Sequence, residues 1–320
     1  MLATSTYAGY RRKIERHILP ALGTVGLRRL RPNHLEALYE ELLHPTDGHA
    51  ALAPKTVYEV HLVICGALGD AVRRGLISRN VAAVAHAPRL RSIPKVEQQA
   101  WTADQLRAFL RAAMGHRLFP ALWLAATTGV RRSELLGLKW SDVDLGVATM
   151  SVNRGIVAVG YELHESRGKT ANARRRIDLD PTTVSILGGW RMWQHAERAA
   201  VGLEDHGWIF ADSEGKPVHP HALSQAFERI ARRAGLPVIR LHDLRHTHGT
   251  LLIKAGVPVK VVSERLGHAT PAFTIDTYQH VLPGMQADAA RAFEQLIAPP
   301  VLPGGGSTGS DRLKRRKKTA

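Results

Sequence analysis

Between Arg240 and His280 the chain reads RLHDLRHTHGTLLIKAGVPVKVVSERLGHATPAFTIDTYQH, three separate pieces of anion chemistry within one segment. His242 and Arg245 are three apart, so on a helix they share a face and can reach the same anion. Leu266, Gly267 and His268 form a second cluster. Tyr278 then stands in a short polar run, TIDTYQH, after a Thr-Pro turn, where a phenol is expected to be exposed rather than packed. Taken singly, each piece has a plainer reading: a solvated helix face, a helix C-cap, a half-buried packing tyrosine. Their order within one segment is what those readings leave unexplained.

The rest of the chain must hold and aim this segment. Its 320 residues suggest two domains, each able to bury a core. Lys and Arg number 44 against 28 Asp and Glu, an excess of +16 that points to a polyanionic partner, nucleic acid before any other. An acidic membrane is the alternative polyanion, but the apolar stretch Leu118–Val130 is too short to span a bilayer and reads as a core helix. The N-terminus lacks the apolar stretch of a secretory signal. The one cysteine, Cys65, falls on an apolar helix face, so neither a disulfide framework nor a cysteine metal site is expected, and a reducing cytoplasm is.

Residues 1–85 read as a small helical unit. Thr4 and Ser5 are placed to cap a helix to about Ile18; Pro32 opens one presenting Leu35, Leu38 and Leu42; Pro54 opens a third with Val57, Val60, Ile64, Leu68 and Val72 at helical steps, ended by Gly75. A last turn falls near Ile77. Arg11, Arg12, Lys13 and Arg16, and then Arg28, Arg29 and Arg31, suit a phosphate-facing surface, or simply a soluble one. Residues 86–100, with Pro88, Pro94, Arg89, Arg91 and Lys95, read as a basic linker.

A second domain, 101–298, starts at a capping box, Thr102 with Gln105. Helices follow to ATTGVRR and from Ser133 to Trp140. Short β-like runs at Ala148–Val152, Tyr161–His164 and Arg176–Leu179 are expected to form one three-stranded sheet. Asp180-Pro181 starts a helix to about Arg198, and Pro220 one that ends at Gly235. The remainder, 299–320, is a flexible tail: GGGSTGS, then six basic residues against one acid. Without its +5, +11 remains in the folded part.

His242-x-x-Arg245, Leu266-Gly267-His268 and Tyr278, in that order, resemble the hallmark of the tyrosine recombinase (phage integrase) family. Two upstream motifs extend the resemblance: Arg131 in TGVRRSELLGL matches the family's first catalytic arginine, and Lys169 in RGKTANARRRIDL its β-hairpin lysine. The resemblance covers roughly Thr4 to Phe293. It implies a mainly α fold with a small antiparallel sheet, a SAM-like helical core-binding domain followed by a catalytic domain. It also implies a catalytic set of Arg131, Lys169, His242, Arg245, His268 and Tyr278, with Lys169 as general acid, His242 assisting proton transfer at Tyr278 and His268 donating to phosphate. Glu134 orients Arg131, while Arg132, Arg174 to Arg176, His246 and His248 offer alternative anion ligands. Larger members carry a further N-terminal domain for accessory sites, so this chain is either of a branch without one or shortened.

The chemistry has its own logic. Permanently charged, fork-shaped arginines hold two phosphate oxygens at once. A phenol with a pKa of roughly 10 can attack and later leave. A metal could stabilise the same charge, but it needs clustered carboxylates or histidine pairs, and acids near these motifs are scattered, so neither metal nor other cofactor is expected. The expected activity is site-specific cutting and rejoining of double-stranded DNA through a 3′-phosphotyrosine, by a homotetramer, for a phage or mobile element, with room for an accessory directionality factor and no membrane partner. Two alternatives stay open: a type IB topoisomerase-like relaxing enzyme, and a non-catalytic regulator using Val259–Gly267 as part of a helix-turn-helix. A folded excess of +11 predicts several phosphate contacts, each lowering log affinity by about 0.9 per log unit of salt. A salt titration of DNA binding should therefore give a steep slope, and a flat one would count against a DNA clamp.

Overall fold

Proline fixes where most of the helices begin, because a first-turn amide has no intrahelical acceptor and its loss costs nothing. The computed structural model describes residues 2–46, 48–88, 99–167, 174–202, 206–268, 270–278, 290–291 and 293–294. Lys169, most of the expected linker and the tail lie outside the described residues.

Helix α1 (Thr4–Lys13) runs through a π-helical stretch (Ile14–Ile18) into α2 (Leu19–Leu22). Thr4 and Ser5 do not cap it: both are already helical, and the cap position is Ala3, without a side-chain bond. Pro32 opens α3 (Pro32–Leu43) and Pro54 opens α4 (Pro54–Arg73), as expected. Leu35, Leu38 and Tyr39 of α3 meet Val57, Val60, Ile64 and Leu68 of α4 in one apolar cluster, with Cys65 at its edge. The last turn lies at Val81–Ala83 rather than near Ile77, because the Asn80 side chain accepts from the Ala82 amide and caps it there.

The second core is larger. Thr102 and Gln105 make the expected capping box of α5 (Ala103–Ala113), whose Phe109 stacks between Trp101 and Phe227. The apolar stretch forms α6 (Phe119–Thr128), buried along most of its length. The helix expected from Ser133 to Trp140 is cut short: α7 (Arg132–Leu136) stops at Gly137, where two backbones touch. A Cβ on Gly137 would lie 2.7 Å from Gly155 Cα and 2.9 Å from the Arg154 carbonyl oxygen. That contact seats the following hairpin against the helix that carries Arg131.

The expected single three-stranded sheet is two sheets. Strand β1 (Val143–Asp144) pairs with β2 (Thr149–Val152), which pairs with the later β5 (Arg175–Asp178); between them β3 (Arg154–Val159) and β4 (Glu162–Arg167) form a separate antiparallel hairpin. The run at Tyr161–His164 therefore pairs with β3 and not with either run it was grouped with, and β1 and β3 carried no clear strand signal. Arg154, at the start of β3, pairs with Asp142 and fixes the hairpin's base.

Asp180 accepts from the Thr183 amide at the start of α8 (Pro181–Val201), and α9 (Pro220–Arg233) ends just before Gly235. Three helices follow: α10 (Asp243–Lys254), α11 (Val259–Leu266) and α12 (Pro271–Tyr278). Among the described residues no helix is long and apolar enough to cross a membrane. Replacing Gly137 with alanine should push the hairpin off α7 and destabilise the protein by about 1–3 kcal/mol, as overpacking does. Thermal unfolding of Gly137→Ala should show a lowered midpoint; an unchanged one would mean the backbones separate without cost.

Candidate active site

Arg131 occupies the N-cap of α7 and is held three ways: its amide and Nη1 donate to Glu134 at 2.9 and 2.7 Å, and its Nη2 donates to the Gly267 carbonyl at 2.9 Å. Glu134 is shared. Arg175, the first residue of β5, donates to both its oxygens, at 2.8 and 3.2 Å, and through Nε to the Arg265 carbonyl at 2.8 Å. Burial pushes the Glu134 carboxyl up, but the Arg175 hydrogen bond and charge, joined by Arg131, outweigh it and hold the pKa below the usual range.

Arg245, in the first turn of α10, is only 4 % exposed. Its Nη1 donates to the Gly129 carbonyl at 2.8 Å, while Nη2 is buried with no partner among the described residues. Burial, then the charges of Arg131 and Arg175, bring its pKa down to about 9. Three guanidiniums thus act on one another with a single carboxylate between them.

Tyr278 is not exposed. It is 2 % exposed, packed with Ile253, Val262 and Leu266, and its hydroxyl is buried without a partner among the described residues. Its burial, against the exposure expected, has a clear cause: α12 turns its last residue inward, onto the backbone of α10 at Gly249, where a Cβ would lie 2.4 Å from the phenol oxygen. Only glycine leaves room there. Burial raises the phenol's pKa to about 12, against the opposing charge of Arg245.

The histidines sort by their partners. His248 is taken up in structure, Nδ1 facing the Ala126 carbonyl at 3.0 Å and Nε2 accepting from Arg265 at 3.2 Å. It is no alternative anion ligand. His246 lies edge-on to His242, ring centroids 5.3 Å apart, and 6.1 Å from the Tyr278 ring, with Nδ1 buried and unpartnered among the described residues. Burial foremost lowers the pKa of His242 below the ordinary histidine value, and it brings His246 down to about 4 and His268 to about 3, so all are neutral at pH 7. The fold brings together Arg131, His242, Arg245, His268 and Tyr278. Arg132 turns away to Ser224. Arg175, noted only as one of a basic run, is structurally the partner of Glu134; the signal for it was the buried acid at Glu134, which must be neutralised. Among the described residues no three His, Cys, Asp or Glu side chains gather as metal ligands.

The pattern of the phage integrase family matches residues 99–284, and that of the phage integrase N-terminal SAM-like domain matches residues 2–43. The chain belongs to the phage integrase family. A tyrosine recombinase XerC-like protein of Caldanaerobacter subterraneus subsp. tengcongensis is 32 % identical over 217 residues, covering 63 % of this chain and 56 % of the relative. The chain thus spans little more than half of that relative's length. The fold is shared with the Tn1549 transposon integrase in complex with a circular intermediate DNA, TM-score 0.73 and 19 % identity over 91 % of this chain and 94 % of that one. It is also shared with a lambda integrase tetramer bound to a Holliday junction, TM-score 0.63 and 20 % identity over 87 % and 72 %.

Replacing Glu134 with glutamine leaves the buried Arg175 guanidinium, and the part-exposed Arg131 beside it, without their anion, which should cost about 3–5 kcal/mol at neutral pH. The carboxyl's folded pKa lies below its unfolded value, so its contribution is present above the unfolded pKa, near 4.5, and is lost as pH falls through the lower folded one. Denaturant unfolding should show Glu134→Gln losing stability most at pH 7 and converging on the parent in acid.

Proposed function

We propose that the chain is a site-specific DNA recombinase in which Tyr278 cuts one strand and holds it as a 3′-phosphotyrosine. The observation that carries this is Arg245, buried with an Nη2 that is free among the described residues, within the field of two other arginines and one carboxylate, on the helix that packs the tyrosine. A phosphodiester under in-line attack gathers negative charge on its non-bridging oxygens, and a preorganised excess of positive charge stabilises that state over the ground state.

In the step proposed, the phenol oxygen of Tyr278 bonds to phosphorus as the bond to the 5′ oxygen breaks. Arg131 and Arg245 hold the non-bridging oxygens and His268 donates to one of them. The phenol proton passes to a neutral imidazole, His242 or through His246 beside it; both are lowered below the ordinary histidine pKa and so are bases at pH 7. Lys169, carried over from the family resemblance, protonates the departing 5′ oxygen. The 5′ hydroxyl of a partner duplex then attacks the phosphotyrosine and the phenol leaves. One phosphodiester is kept throughout, so no nucleotide cofactor enters.

The partner is double-stranded DNA, gripped by residues 1–85 and 101–298 with 86–100 as the basic linker and 299–320 as a tail. The tetrameric state of the lambda integrase neighbour supports four protomers on two duplexes. An accessory directionality factor would set the balance of integration and excision for a phage or mobile element, in a reducing cytoplasm where Cys65 stays a thiol.

The test is a nicked suicide duplex carrying the element's own end junction, which traps the covalent complex. Tyr278→Phe should bind this DNA and form no complex; a complex with the Phe variant would remove Tyr278 as nucleophile. Arg245→Lys keeps the nucleophile and loses the two-oxygen grip, and should slow cleavage on the order of a hundredfold or more. Relaxation of a supercoiled plasmid lacking the junction would favour the topoisomerase reading.

A further inference from the structure

We propose that Thr274 is a positioning residue: its hydroxyl donates to Nδ1 of His268, leaving Nε2–H as the nitrogen that donates to the phosphate. The inference rests on the site reading above and adds to it a residue outside the catalytic set. His268 is 7 % exposed and Thr274 fully buried, and Nδ1 and Oγ1 stand 2.7 Å apart, a short hydrogen bond. Among the described residues the hydroxyl has no other partner.

A neutral imidazole carries one N–H, so its two nitrogens cannot both donate. Burial, then the charges of Arg245 and Arg131, keep His268 neutral at pH 7, which makes the tautomer decisive. If Nδ1–H donated to Thr274, Nε2 would present a bare lone pair to a phosphate oxygen, and the two would repel. A threonine hydroxyl rotates and donates as readily as it accepts, so at Nδ1 it is the group able to leave the proton on Nε2. Phe273 stands edge-on to the imidazole, centroids 4.9 Å apart at 79°, and restrains the plane of the ring.

Thr274 lies one turn before Tyr278 on α12, so the two share a helix face. One short helix therefore carries the nucleophile and orients the group that steadies the phosphate it attacks. If α12 shifts, both are lost together, and strand cleavage without an oriented phosphate is avoided.

The test combines a tautomer measurement with cleavage by the full-length protein. Histidine-labelled ¹⁵N spectra, with the His268 signal assigned by its loss in His268→Gln and recorded with and without inorganic phosphate, should show the Nε2–H form in the parent and in Thr274→Ser. Thr274→Val should give mixed tautomers and form the covalent complex on the order of tenfold more slowly. In a His268→Ala background the valine substitution should cost nothing further, since Thr274 acts through the imidazole. An Nδ1–H tautomer in the parent overturns the proposal whether or not any Thr274 variant folds. So does a Thr274→Val protein with the parent's tautomer and rate, or one that slows the His268→Ala background equally. If Tyr278→Phe still forms the complex, the nucleophile reading fails while the tautomer result stands on its own.

Discussion

Glu134 lies between two guanidiniums, one from the start of α7 and one from the start of β5, and among the described residues it is the only carboxylate that both reach. Its two oxygens accept from Arg131 and Arg175, and those arginines then reach onward to the carbonyls of Gly267 and Arg265 at the end of α11. Segments far apart in sequence are thereby pinned around one charge. A buried charge without a partner costs several kcal/mol, so Arg175 can be held dry only because this anion is there. Because Arg245 adds a third positive charge nearby, the neutralisation is incomplete. The remaining positive charge is aimed where Arg245 offers a nitrogen that is unpaired among the described residues.

The pH behaviour of the site follows from the same burial. Each histidine around the arginines is shifted down, so none carries charge near pH 7, and the attraction for an anion comes from guanidiniums alone. The imidazoles then work as bases and directional donors, and what matters is which nitrogen holds the proton. His248, with both nitrogens committed, braces α10 against α6 and α11, and His246, with one free, lies between His242 and the phenol. Adjacent histidines of one helix have unlike roles because successive residues face in different directions.

Much of this was legible in the chain. Prolines 32, 54, 181 and 220, the Thr102–Gln105 box and glycines 75 and 235 mark helix ends through local backbone chemistry, which needs no distant partner. The apolar steps of α3 and α4 identify a buried face for the same reason. The order of Arg131, His242, Arg245, His268 and Tyr278 pointed to one family, and the family match over residues 99–284 bears that out.

Tertiary structure decided what local chemistry could not. Strand pairing depends on which segments meet: β2 skips the hairpin to join β5, and no local signal carries that choice. The α7 helix ends early because Gly137 meets Gly155, a contact invisible in either segment alone. Tyr278, set in a polar run, is buried because α10 presents a bare glycine backbone to it, and Arg175 becomes a keystone only because Glu134 faces it. A sequence states residue types and local spacing, which suffice for helices and motif order. Exposure, charge partners and the protonation of a histidine depend on groups brought close from elsewhere in the chain, so only the folded molecule fixes them.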